Sequence, residues 1–75
     1  MKISKMKRAA LIWGETEQLL KLFLQRGALP FGSAIKGSGS HYVYHVEDNL
    51  LREYVGEKKW LEGLQRVQEY IEQKS

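Results

Sequence analysis

Two histidines and two glutamates are the first residues to test for chemistry in this chain. His41 and His45 stand four positions apart in a segment of strand type, so they lie roughly 13 Å apart, too far to share one metal ion. Glu15 and Glu17 point to different faces of a helix and form no acid/base pair. The sequence has no cysteine. It also shows no nucleophile–base set and no phosphate-binding glycine loop. We therefore expect no enzyme activity, metal, cofactor or small-molecule substrate.

Basic residues are concentrated at the start of the chain. Lys2, Lys5, Lys7 and Arg8 stand among the first eight residues, which contain no acid, and the net charge is +3. A cluster of this kind favours contact with phosphates, although it is also typical of a solubilising end. Both interpretations remain open from charge alone.

Composition indicates one small globular domain. Of 75 residues, 43% are hydrophobic and 28% are charged, which are values of a folded protein with a modest core. The longest apolar run, residues 9–13, is far too short to span a membrane. A secretory signal is not expected either, because no long apolar stretch follows the basic start. We expect a cytoplasmic protein.

Caps and apolar periodicity predict two helices in the first 30 residues. Ser4 begins the first helix, which runs to about Trp13 and stops at Gly14. Thr16 begins the second helix, which ends at Gly27. The residues predicted to face inward are Met6, Ala9, Ala10, Trp13, Leu20, Phe23 and Leu24.

A hairpin and two further helices complete the prediction, an α+β and mostly helical fold. Residues 31–36 and 41–46 are of strand type and flank a Gly/Ser turn. The third helix is predicted over Asp48 to Val55 and the fourth over Glu57 to Gln73. Leu51, Tyr54 and Val55 should face inward in the third helix. On the hairpin, Tyr42, Tyr44 and Val46 should pack on the helices, with His41, Val43 and His45 on the other face.

The segment AALIWGETEQLLKLFLQRGALP resembles the helix-turn-helix of small winged-helix proteins of the excisionase and MerR-like kind. The matching positions are Ala9, Ala10, Gly14, Thr16, Gly27, Leu29 and Pro30. The following FGSAIK strand, the aromatic strand and "LREYVG" are similar to small DNA-binding proteins of Firmicute phages and mobile elements. The resemblance implies a winged helix-turn-helix over residues 1–56, with residues 57–75 as an added amphipathic helix. Arg8, Glu15, Glu17 and Glu47 depart from the family pattern.

The resemblance also implies a function and its residues. It predicts a sequence-specific protein for double-stranded DNA, serving as a recombination accessory factor or a transcription regulator. The second helix would contribute Thr16, Glu17, Gln18, Lys21, Gln25 and Arg26. The hairpin wing would contribute Lys36, Ser38, Ser40 and His41. Independently of the resemblance, the basic cluster at the N-terminus would contribute Lys5, Lys7 and Arg8. The simpler alternatives are a solvated helix face and a mobile turn.

A narrow apolar seam on the fourth helix has two interpretations. It consists of Trp60, Leu64, Val67 and Ile71, at spacings of four, three and four. Packed on the domain, the seam enlarges the core; left exposed, Leu64, Val67 and Ile71 would associate with a second copy or with a recombinase. The rival function is a protein-interaction module, an inhibitor or adaptor, whose apolar second and fourth helices bind a host or phage protein. The surplus of Leu19 and Leu22 and the acids Glu15 and Glu17 favour it.

Overall fold

A computed structural model describes residues 3–74, so Lys2 lies outside the described residues. The elements in chain order are α1 (Lys5–Trp13), α2 (Glu17–Gln25), β1 (Gly32–Lys36), β2 (Tyr42–Val46), α3 (Asp48–Val55) and α4 (Glu57–Lys74). The predicted α+β, mostly helical architecture is therefore confirmed, in the predicted order of helix, helix, hairpin, helix, helix. None of the helices within residues 3–74 is both long and apolar enough to cross a lipid bilayer.

The helix ends follow the local signals in the sequence. The Ser4 hydroxyl accepts a hydrogen bond from the Lys7 N–H at 3.1 Å, and the Thr16 hydroxyl accepts one from the Leu19 N–H at 3.1 Å. Gly14 ends α1 with a φ of 99°, a conformation that glycine adopts without strain. The second helix ends at Gln25, two residues before the predicted Gly27.

The hairpin is an antiparallel pair whose register runs from Gly32 opposite Val46 to Lys36 opposite Tyr42. Each strand begins one residue later than predicted. Phe31 belongs to the core instead, and its carbonyl accepts a hydrogen bond from the Glu47 N–H at 2.8 Å, which closes the base of the hairpin. At the other end, the Gly37 N–H donates to the His41 carbonyl at 2.8 Å and closes the turn.

The two hairpin faces differ as predicted, except at Tyr42, which was predicted to pack on the helices. Tyr44 and Val46 are half-buried against the core, while Tyr42 is more exposed. On the outer face, Ile35 and Val43 form a cross-strand pair and remain 65% and 62% exposed.

The core lies where the helices meet the base of the hairpin. Its buried residues are Ala9, Ala10, Ile12, Leu20, Leu24, Leu29, Phe31, Leu51 and Val67. Phe31 is fully buried, and its ring makes edge contacts with Trp13 and Tyr54 at centroid distances of 6.4 and 5.3 Å. The prediction that Tyr54 faces inward is wrong, since the residue is 51% exposed although its ring contacts Phe31.

The fourth helix packs closely along α1. A Cβ added to Gly63 would stand 2.6 Å from the Ile12 Cα, so the two backbones approach at a distance only glycine allows. Arg66 of α4 donates from Nε to the Leu11 carbonyl at 2.8 Å and from Nη2 to the Ile12 carbonyl at 3.2 Å. These carbonyls belong to the last turn of α1, so Arg66 caps that helix from outside.

The apolar seam of α4 also faces the core. Val67 is buried, and Trp60, Leu64 and Ile71 are half-buried against the core. The residues predicted for association, Leu64, Val67 and Ile71, therefore lie on the packed side of the helix. Because α4 covers a second side of α1, Ile12 is fully buried although the predicted inward face omitted it.

Candidate nucleic-acid interface

The outer side of α2 carries a polar stripe. Gln18, Lys21 and Gln25 stand at i, i+3 and i+7, which places them along one side of the helix. Leu20 and Leu24 are buried and hold α2 on the core. The amphipathic pattern therefore fixes which side chains α2 presents to a partner.

Tyr44 of β2 joins this stripe to the hairpin. The Gln25 Nε2 donates a hydrogen bond to the Tyr44 Oη at 2.6 Å, and the Lys21 Nζ lies 5.5 Å from the centre of the Tyr44 ring. The Tyr42 ring follows along the strand, with its centre 6.2 Å from that of Tyr44. We call Gln18, Lys21, Gln25, Tyr42 and Tyr44 the α2–hairpin surface. It presents a cation, two amides and two phenol rings side by side.

An acid already lies beside the cation of this surface. The Lys21 Nζ is 3.2 Å from a carboxylate oxygen of Glu17, an i, i+4 pair in which both side chains are partly exposed. Exposed pairs of this kind contribute little to stability, so a phosphate could replace Glu17 as the partner of Lys21 at small loss. The Thr16 oxygen caps α2, and Arg26 is exposed just after the helix.

The hairpin tip extends beyond the packed part of the hairpin. Lys36 opposite Tyr42 is the last strand pair, so Lys36 stands next to the α2–hairpin surface. Ser38, Ser40 and His41 follow in the exposed turn. The predicted wing residues are thus accessible from solvent, with their base beside Tyr42.

The N-terminal cations contact a different part of the molecule. The Arg8 Nη1 lies 2.8 Å from the Asp48 Oδ1 of α3, and the guanidinium lies 5.7 Å from the centre of the Trp60 ring. The Lys7 Nζ lies 5.1 Å from the centre of the Tyr70 ring of α4. Lys5 is exposed at the first turn of α1. The predicted DNA-contacting residues therefore divide into two groups, and the contacts of Lys7 and Arg8 tie them to α3 and α4.

The cleft beside Arg8 carries both signs of charge. Lys5, Arg8 and His45 line it together with Glu47 and Asp48. Arg8 pairs with Asp48 there, and the His45 Nε2 stands 3.8 Å from a Glu47 carboxylate oxygen. Within residues 3–74, no three His, Asp or Glu side chains come together as a metal ion would need. The balance of charge makes this cleft a weaker candidate for phosphates than the α2–hairpin surface.

The polar role of Tyr44 was missed by sequence reasoning, which assigned Tyr42 and Tyr44 to packing. Strand alternation does place Tyr44 on the side facing the helices. The signal that would have found the contact is the combination of that alternation with the polar stripe of α2. The hydrogen bond between Gln25 and Tyr44 depends on how α2 packs beside β2, which the sequence pattern alone does not give.

Comparisons with protein families, curated proteins and solved structures find no match to this chain. The resemblance to winged-helix proteins accordingly stays a prediction from the residues quoted above.

Proposed function

We propose that the protein binds double-stranded DNA in a sequence-specific manner through the α2–hairpin surface. The observation that carries the proposal is the junction at Tyr44, where Gln25 and Lys21 of α2 meet the hairpin. In a winged helix-turn-helix, one helix enters the major groove while a flanking hairpin follows the backbone. The polar stripe of α2 and the exposed hairpin beside it suit those two tasks.

The side chains of the surface match the chemistry of DNA. A glutamine amide pairs with the N6 and N7 edge of adenine, which suits Gln18, and a lysine such as Lys21 reaches guanine or phosphate. Arg26 and Lys36, both exposed, supply charge for the backbone on either side. At the tip, the hydroxyls of Ser38 and Ser40 donate to phosphate oxygens.

The biological role we propose is in a phage or mobile element, either in directing recombination or in controlling transcription. Both roles begin with the same step, recognition of a DNA site. The rival protein-interaction module depended on apolar helix faces. The seam of α4 packs on the core, which places Leu64, Val67 and Ile71 against the domain and leaves Leu22, Leu50 and Leu61 as exposed leucines on three different helices.

A mobility-shift titration tests the proposal, with random-sequence duplexes of about 20 bp as the first probe. With four to six phosphate contacts, log affinity should fall against log salt with a slope of about −4 to −5. Lys21→Ala and Arg26→Ala should each reduce that slope by about 1 and weaken binding. Lys58→Ala is the matched control, because it removes the same charge from an exposed position on α4. Absence of salt-sensitive binding, or equal effects of all three variants, would contradict the proposal.

A further inference from the structure

We propose that Tyr44 is a positioning residue for base recognition, and that its hydroxyl orients the Gln25 amide on the α2–hairpin surface. This inference rests on the proposed function, since it concerns how the same surface would distinguish one base pair from another. It assigns a specificity role to a hairpin residue that need not touch DNA. The residue that touches the base is then Gln25.

The geometry limits the orientation of the amide. A glutamine amide has two N–H donors and one carbonyl acceptor. The bond to Tyr44 uses one N–H of Gln25 Nε2. A second N–H and the carbonyl oxygen remain, which are the donor and the acceptor that the N7 and N6 groups of adenine require. An unrestrained amide would have to be ordered at the moment of binding, so a fixed one favours the matching base.

Strand pairing and partial burial hold the Tyr44 side chain in place. Its ring is half-buried against the core and lies opposite Ala34 in the hairpin register. The same ring holds Lys21 at 5.5 Å. One hairpin side chain therefore positions two neighbouring groups on the outer side of α2, one through its hydroxyl and the other through its ring.

Tyr44→Phe separates these two actions, because it removes the hydroxyl and keeps the ring. Tyr42→Phe is the matched control, since the Tyr42 hydroxyl makes no hydrogen bond within the described part of the chain. The first measurement is made by NMR on the free protein. We expect the Gln25 side-chain amide signals to shift in Tyr44→Phe and to stay unchanged in Tyr42→Phe. An unchanged Gln25 amide in Tyr44→Phe would overturn the proposal at this stage.

The second measurement compares base preferences, by selecting bound duplexes from a random-sequence pool. In Tyr44→Phe and in Gln25→Ala, the preference at one shared base pair should fall by about fivefold or more. The preferences at other positions and the salt slope should stay as in the wild type. The double variant should lose no more than Gln25→Ala alone, because both changes act through the same amide.

Two results of this selection would overturn the positioning role. One is a Tyr44→Phe profile equal to that of the wild type, and the other is a uniform loss of affinity for all sequences, as a purely structural change would give. If the wild type itself shows no salt-sensitive binding to the pool, the proposed function fails and the recognition role of Tyr44 fails with it. The NMR result then still reports on the hydrogen bond alone, so the two failures are distinguishable.

Discussion

The contact between α1 and α4 differs in kind from the contact between α2 and the hairpin. Where α1 meets α4, the contact is close and largely buried: Gly63 lets the backbones approach, and Ile12 is fully buried. Where α2 meets the hairpin, the outer contacts are polar and partly exposed, with Gln25, Lys21 and Tyr44 in a chain of weak interactions. Removing a packed methylene group costs more than breaking an exposed polar contact. Stability should therefore depend on the first region and recognition on the second.

This difference implies that substitutions can separate the two properties. A change in the α1–α4 contact should lower the free energy of unfolding and alter DNA binding only through the loss of folded protein. A change on the α2–hairpin surface should alter binding and leave the melting temperature nearly unchanged. A substitution in one region that changes both the melting temperature and the DNA affinity of the folded protein would show that the two regions are coupled.

Val67→Asp should have the largest effect. Val67 is buried, so the aspartate would place a carboxyl group in the core, at about 3 kcal/mol or more. A domain of this size has a stability of about 4–11 kcal/mol, so we expect a much lower melting temperature or an unfolded chain by circular dichroism.

The control for this prediction is Gln65→Asp, which places the same side chain at an exposed position of α4. Normal melting of Val67→Asp, together with dissociation of a wild-type dimer in light scattering, would show that the seam is an interface. The side of α4 that we describe as core would then be an association surface.

Gly63→Ala should have an intermediate effect. The new Cβ would stand 2.6 Å from the Ile12 Cα, a backbone atom that cannot turn aside, so α4 must move away from α1. Overpacking of this kind costs about 1–3 kcal/mol, while alanine regains about 1 kcal/mol of helix propensity. We expect a net loss of stability in chemical denaturation. Glu62→Ala, at the neighbouring exposed position, should be nearly neutral, and a more stable Gly63→Ala would disprove the close approach.

Glu17→Gln should have the smallest effect, and it should raise DNA affinity. The substitution frees Lys21 from its carboxylate partner and removes a negative charge from the surface proposed to contact phosphates. We expect binding to tighten about two- to fivefold at low salt, with the melting temperature nearly unchanged. Glu15→Gln is the matched control, because it removes an equal charge nearby. If Glu15→Gln tightens binding as much as Glu17→Gln does, the pairing with Lys21 has no part in recognition.

The features predictable from the sequence are those decided within a few residues. Ser4 and Thr16 cap helices because their hydroxyls reach an N–H three positions on. The inward orientation predicted for Tyr54 was wrong because α3 has only 8 residues, and spacing over so short a helix does not define which residues beside Leu51 are buried. The contacts of the candidate site depend on distant parts of the chain. Gln25 and Tyr44 are 19 positions apart, and Arg8 and Asp48 are 40 apart. No local pattern predicts which such residues will meet.

The contacts of Arg66 also affect the order in which the chain folds during its synthesis. It bonds to a carbonyl 55 positions earlier, in the last turn of α1, just before the turn that leads into α2. During synthesis, α1 and α2 emerge from the ribosome first, but the carbonyls of that turn have no such partner until residue 66 has emerged. The packing of Ile12 against Gly63 must wait as well. We therefore expect the nascent helices to stay loosely packed until α4 is present, so that the α2–hairpin surface takes its final shape late in synthesis.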